Sequence, residues 1–372
     1  MKKALLAAAA VLPFAFANPA AAQKAGDKIA GSYICVFKDN VSRGSVQAEA
    51  NRSAQSVNAR VAHVYSAALR GFSANVPDQA IERMKANNAN IAYCEQDQVV
   101  TVAPIHAAAP PSSGGSTQPL QETPWGIARV NGGAAGSFAT AWIIDTGIDF
   151  THPDLNVDVA RSRNFVEREE SALDLNGHGT HVSGTIAAYD NTIGVIGVAP
   201  GARVVAVRVL NRRGSGTNSG VIAGVDYVAA NGQAGDVANM SLGGGVSTAL
   251  DTAVLNASNA RGVRFALAAG NESDNANNHS PGRVNGPNVY TVSAFAIGDK
   301  WASYSNYGNP PIDYAEPGSS IKSTWLSGGY NTISGTSMAT PHLAGLLLTG
   351  SVRAGGNVLG DPDGNPDVIG VK

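Results

Sequence analysis

Cysteine is nearly absent: the 372-residue chain has two, Cys35 and Cys94, and everything after Cys94 lacks thiols. Disulfides therefore cannot hold the larger part of the molecule together, and outside a reducing compartment bound metal is the usual substitute. Charge is also sparse. Only 15% of residues are Asp, Glu, Lys or Arg, the formal net charge is -2, and no block of like charge stands out. That leaves no electrostatic case for a nucleic-acid partner. Long hydrophobic runs are missing too. The apolar stretch at residues 4–17 falls short of the ~20 residues a membrane-spanning helix needs, and no later run reaches that length, so no membrane span is expected.

What is there begins with Met1-Lys2-Lys3, the apolar stretch and the small residues Ala20-Ala21-Ala22. This pattern predicts an export signal over residues 1–22, cut near Ala22, and hence a secreted (extracellular or periplasmic) protein. The 43 glycines, with so little charge, indicate a compact, loop-rich chain rather than a disordered one.

Residues 32–38, 61–65, 69–76 and 91–96 read as strands, and 43–60 and 78–86 as helices. This βαββαβ order predicts a small α+β split-βαβ (ferredoxin-like) domain within residues 23–102. In that topology the first and last strands are neighbours, which brings Cys35 and Cys94 close. A disulfide and two buried thiols both fit. Residues 103–119 are rich in Ala, Pro, Ser and Gly without a hydrophobic period, so they read as a linker open to proteolysis. From residue 120 to 372, apolar runs at 141–144, 204–209, 237–240, 263–268 and 289–292 alternate with helix-like segments. That predicts an α/β domain with a doubly wound parallel sheet buried on both faces.

The most informative stretch is Ser334-Gly335-Thr336-Ser337-Met338-Ala339-Thr340-Pro341-His342, followed by an apolar run. Gly335 allows close backbone approach, and Pro341 suits a first helical turn but not a helix interior. Ser337 then sits at a helix start, where free N–H groups and the helix dipole favour developing negative charge. A serine there is usually only a cap. A nucleophile also needs a base, and the base an orienting group. His178, in Asn176-Gly177-His178-Gly179-Thr180-His181, offers the base. Asp145, closing the apolar strand before Thr146-Gly147, offers the carboxylate. Carboxyl ends of parallel strands are where such sites form. Two other readings compete. His178 and His181 are spaced as metal ligands, but no third ligand stands nearby. Asp-Thr-Gly is the aspartic-protease signature, but that chemistry needs a second copy, and none exists.

Together the segments Ile144-Asp145-Thr146-Gly147, His178-Gly179-Thr180-His181 and Gly335 to His342 resemble the subtilisin-like (subtilase) serine peptidases, with features of both the subtilisins and the proteinase K group. The resemblance implies Asp145, His178 and Ser337 as catalytic triad, His181 as structural, and Asn271 as oxyanion-hole donor. It implies that substrate pairs as a strand with Gly214-Ser215-Gly216 and Ser241-Leu242-Gly243. Leu242, Gly243, Ala268, Ala269 and Gly270 would wall an apolar, uncharged pocket favouring apolar or aromatic side chains.

The same resemblance implies calcium. Side-chain oxygens of Gln121, Asp154 and Asn191 with the carbonyls of Tyr189, Ile193 and Val195 would form one site. The carbonyls of Pro287 and Val289 with Asp313 would form a second. The run Asp361-Pro362-Asp363-Gly364-Asn365-Pro366-Asp367 is loop-like but, with two prolines and no following helix, reads as a turn. Gly71-Phe72-Ser73-Ala74 and Tyr93 to Asp97 match the family's inhibitory propeptide, which makes the chain a self-processed zymogen and an expected monomer. From residue 349 the pattern departs, and a Gly/Asp-rich tail stands where the family's final helices belong. An ester hydrolase would show Gly-x-Ser-x-Gly, which is absent here. A non-catalytic interaction protein would not need all four site residues.

Overall fold

The computed structural model describes residues 24–102 and 118–372. The export signal and most of the 103–119 stretch lie outside the described residues.

The early part forms strands β1 (Lys28–Phe37), β2 (Arg60–Tyr65), β3 (Gly71–Asn75) and β4 (Ile91–Thr101), in antiparallel order β4-β1-β3-β2. Helices α1 (Val46–Gln55) and α2 (Ile81–Asn87) bury Val46, Ala50, Ile81 and Met84 with Phe37 and Phe72. Cys35 lies directly opposite Cys94 in the ladder, and the two form a disulfide. Of the two states the sequence allowed, the chain has the bonded one.

The later part is built on a mostly parallel sheet. Its central strands are Ile312–Pro317, Val289–Ala296, Arg264–Ala268, Val237–Met240, β5 (Ala141–Asp145) and Arg203–Arg208, in that spatial order. Alternate residues serve opposite faces, as the strand period requires. Trp142 and Ile144 pack with Val221, Val225 and Leu250 of helices Asn218–Asn231 and Thr248–Arg261. Ile143 packs on the other face with Val182 and Leu343 of helices His178–Ala187 and Thr336–Thr349. Burial on both faces explains why these strands read as continuous apolar runs.

Where the family's final helices belong, the chain forms a hairpin. Arg353–Asn357 pairs antiparallel with Val368–Val371, which adds to the sheet through Ala315 and Ile369. The Asp361 to Asp367 run is the connecting turn. Asp363 Oδ1 accepts from Asn365 N (2.8 Å), and buried Asp367 accepts from Ser293 Oγ (2.5 Å) and Asn309 Nδ2 (2.8 Å).

Glu316, beneath this hairpin, is fully buried, and neither carboxyl oxygen has a partner among the described residues. Burial pushes its pKa well above 4.5. A raised carboxyl pKa contributes stability below the unfolded value and loses it as pH rises through the folded value. Glu316→Met, similar in volume, should therefore stabilise the fold by about 1–3 kcal/mol at neutral pH. The gain should grow as pH rises above the unfolded carboxyl value. Urea unfolding across this pH range measures it; no gain at any pH would contradict the assignment.

Candidate active site

Asp145 ends β5 at the carboxyl edge of the sheet, with Oδ1 accepting from Thr146 N (2.7 Å). His178 opens its helix after Gly177, whose φ of 110° and contact with the Trp325 ring leave no room for a side chain. His178 Nδ1 lies 2.8 and 2.9 Å from the two Asp145 oxygens, and both side chains are at most 1% exposed. His178 Nε2 has no partner among the described residues. The neighbouring His181 is buried with Nε2 3.0 Å from the Ile321 carbonyl, and burial holds its pKa down to about 3, so it stays neutral.

A residue missed by sequence reasoning joins these segments. Buried Asp174 accepts at Oδ1 from Thr146 Oγ1, Asn176 N and Gly177 N, and at Oδ2 from Thr180 N and Oγ1. It thereby caps the helix carrying His178 and ties it to the end of β5. Its only sequence signal was an acidic residue just before the helix start.

Ser337 is the second residue of helix Thr336–Thr349, after Gly335. Its Oγ donates to the Ser241 carbonyl at 3.1 Å. This helix and the His178 helix share one apolar cluster through Met338, Ala339, Leu343, Val182 and Ile186. Pro341, expected in a first turn, lies inside the helix. Asn271 Oδ1 accepts from Thr336 N and Thr336 Oγ1, both at 2.8 Å, which fixes the amide with Nδ2 as its free end. A Cβ on Gly335 would come within 3.0 Å of that Nδ2.

Ser337, Asn271, Leu242, Gly243, Ala268, Ala269 and Gly270 meet around one cavity of about 530 Å³. The expected wall residues are apolar, but Lys24, Arg213, Glu272 and His279 also line the cavity, so it is not the uncharged pocket expected. Glu272 Oε2 accepts from Asn306 Nδ2 (2.7 Å) and stands 3.8 Å from His279 Nδ1, while His279 Nε2 is 3.2 Å from Asp274 Oδ2. The pocket is therefore apolar with a charged margin. Glu272 was missed although it directly follows Asn271; His279 comes in through a short 3-10 turn at Ala276–Asn278.

Of the edges expected to bind a strand, Gly214-Ser215-Gly216 and Gly243 already hold one, while Ser241 and Leu242 lie outside the ladder. Thr101 and Val100 of β4 pair with Gly243 and Gly244 on one side and with Ser215 and Gly216 on the other, and Val102 N donates to the Gly214 carbonyl (2.9 Å). Around this strand, carboxylates cap helix starts across the seam. Asp97 accepts from Ser219 N (3.1 Å) and Oγ (2.6 Å), and Glu95 accepts from Ser247 Oγ and Ala249 N. In return Asp226 accepts from the backbone N–H groups of Ser66, Ala67 and Ala68.

The first set of expected metal ligands converges. Asp154 accepts from Asn191 Nδ2 (2.7 Å), Val195 N (3.3 Å) and Tyr330 Oη (3.2 Å), and its carbonyl from Tyr189 N (3.1 Å). Gln121 Oε1 accepts from Asn191 N (2.5 Å), and Asn191 Oδ1 from Ile193 N (2.7 Å). Burial raises Asp154 to about 6 although its neutral donors pull it down, and a cation would reverse the shift. Among the described residues no three His, Cys, Asp or Glu side chains form a metal cluster, so any cage here relies on amides and carbonyls. Oxygen donors of that kind suit calcium. The second set is less assembled. Burial raises Asp313 to about 6 and it accepts from Thr291 N (2.9 Å), but the Pro287 carbonyl already accepts from Ser258 Oγ (3.1 Å), and Val289 pairs with Phe265 in the sheet.

Comparison with known proteins agrees with this layout. The subtilase family model matches residues 140–349, and the peptidase inhibitor I9 model matches residues 32–103. An extracellular serine proteinase of Thermus sp. (strain Rt41A) is 40% identical over 370 residues, covering 92% of this chain and 87% of that protein. Alkaline serine exoprotease A of Vibrio alginolyticus is 40% identical over 337 residues; the match covers 86% of this chain and 60% of that longer protein. The crystal structure of a cold adapted subtilisin-like serine proteinase superposes with a TM-score of 0.58 at 43% identity, covering 66% of this chain and 96% of that one. The chain belongs to the subtilase family of serine peptidases, with an inhibitor I9 unit preceding the peptidase unit.

Proposed function

We propose that the chain is an exported serine endopeptidase that works through an acyl-enzyme on Ser337. His178 Nε2 takes the Ser337 proton as Oγ attacks the substrate carbonyl, then passes it to the leaving nitrogen. Water deacylates the enzyme by the same route. Asp145 holds the imidazole with Nδ1–H toward it, and stabilises the imidazolium. Asn271 Nδ2 and the Ser337 N–H meet the oxyanion. The observation that carries this reading is the buried Asp145–His178 pair, whose outer nitrogen is left without a partner.

Substrate binds as β4 does, between the two edges, so residues 23–102 act as an inhibitory propeptide until they are cut away within 103–119, leaving residues 120–372 as a monomeric peptidase. The apolar walls favour an apolar or aromatic side chain before the scissile bond. Residues 1–22 direct export, in keeping with the extracellular Thermus relative; no helix among the described residues is long and apolar enough to cross a membrane. Purified chain incubated with casein tests the reading: cleavage is expected, and intact casein would overturn it.

Gln121, Asp154 and Asn191, with the Tyr189, Ile193 and Val195 carbonyls, would hold calcium, whose charge would neutralise Asp154 and cross-link two surface loops. Pro287, Val289 and Asp313 would hold a second, weaker ion. Chelator should shorten the activity half-life at elevated temperature by at least about tenfold, and Asp154→Asn should abolish most of that sensitivity. An unchanged half-life would contradict the first site.

A further inference from the structure

Two hydrogen bonds run between Ser241 and Ser337 in opposite senses. Ser337 Oγ donates to the Ser241 carbonyl (3.1 Å), and Ser241 Oγ donates to the Ser337 carbonyl (2.8 Å). The second bond has a cause in the sequence. In a helix the Ser337 carbonyl would accept from the N–H of residue 341, but residue 341 is proline and has none. A proline ring also crowds the carbonyl one turn before it, tilting it off the helix axis. Ser337 is buried, so this carbonyl needs a partner. The proton of Ser241 Oγ is itself directed, because Asn239 Nδ2 donates to that oxygen (2.8 Å). Two of these groups are fixed by packed elements: Asn239 lies in strand Val237–Met240, and Pro341 is buried in its helix.

We infer that the Ser241 hydroxyl is a positioning residue for the nucleophile, occupying the hydrogen-bond position that Pro341 vacates and so fixing the peptide that carries Ser337. The inference rests on Ser337 being the nucleophile. It concerns the Ser241 side chain, whereas substrate pairing would use its backbone.

Mature enzyme variants and a chromogenic peptide test it, with rates expressed per active site titrated by a fluorophosphonate so that misfolded protein drops out. Ser241→Ala should lower kcat about tenfold with KM little changed, and Ser241→Thr, which keeps the hydroxyl, should retain most of kcat. Pro341→Ala restores an N–H one turn past Ser337. In that background Ser241→Ala should cost less than about twofold, because the Ser337 carbonyl already has a partner. An equal loss in both backgrounds, or no loss in either, would overturn the inference. Absence of any peptide cleavage by the unaltered enzyme would instead overturn the proposed function.

Discussion

Ser337→Ala will accumulate as the uncut precursor and lose about a millionfold in turnover on casein, a magnitude known from subtilisin itself rather than derived from this geometry. The structural reason is local. Alanine removes the Ser337 hydroxyl, whose proton His178 would take, without disturbing the Met338, Ala339 and Leu343 packing behind it. The β4 strand will stay between its two edges, since those ladders are backbone bonds that do not involve the hydroxyl. Gel mobility and intact mass after expression read the first effect, and casein hydrolysis the second. Maturation of the alanine form at the unaltered rate would show that processing is carried out by another peptidase.

Asn271→Ala will lower kcat by about 10²–10³ with a small change in KM; this range, too, is that of the oxyanion asparagine in subtilisin. Both Thr336 donors fix the Asn271 carbonyl end, so Nδ2 is held ready before any charge develops. Gly335 keeps the space beside it open. Since such a donor meets charge that forms only in the transition state, its loss should appear in kcat rather than in binding. Thr336→Val, which removes one of the two fixing donors, should cost about tenfold or less. Steady-state kinetics on one peptide separate the two; a rise in KM without loss of kcat for Asn271→Ala would make it a substrate-binding residue only.

Much of this was legible because the physical demands on the residues were severe. Strands buried on both faces must be apolar throughout, so β5 and its neighbours announced themselves as runs, and Asp145 stood out as the charge that ends one. The closeness of Cys35 and Cys94 followed from a topology that makes β1 and β4 neighbours, and the structure shows that they are bonded. The far end of β4 was hidden. Gln96-Asp97-Gln98 carries no hydrophobic period, because Asp97 caps a helix and Gln96 and Gln98 donate to the Ile29 and Val246 carbonyls instead of filling a core. Asp174 was obscure for a similar reason: its donors are backbone N–H groups and threonine hydroxyls drawn together from two segments. The C-terminal hairpin was obscure because Arg353-Ala354-Gly355-Gly356-Asn357 has neither strand-forming residues nor alternation. Its Gly355 is dictated by close contact with Val371, a constraint visible only once the partner strand is in place.

The most direct test is the site of covalent labelling. The mature enzyme treated with a fluorophosphonate, which esterifies an activated serine, and mapped by peptide mass should carry one label, on Ser337. Labelling should vanish in Ser337→Ala and slow by orders of magnitude in His178→Ala. A label on another serine, or undiminished labelling without His178, would contradict the assignment of Ser337 as a nucleophile activated by His178.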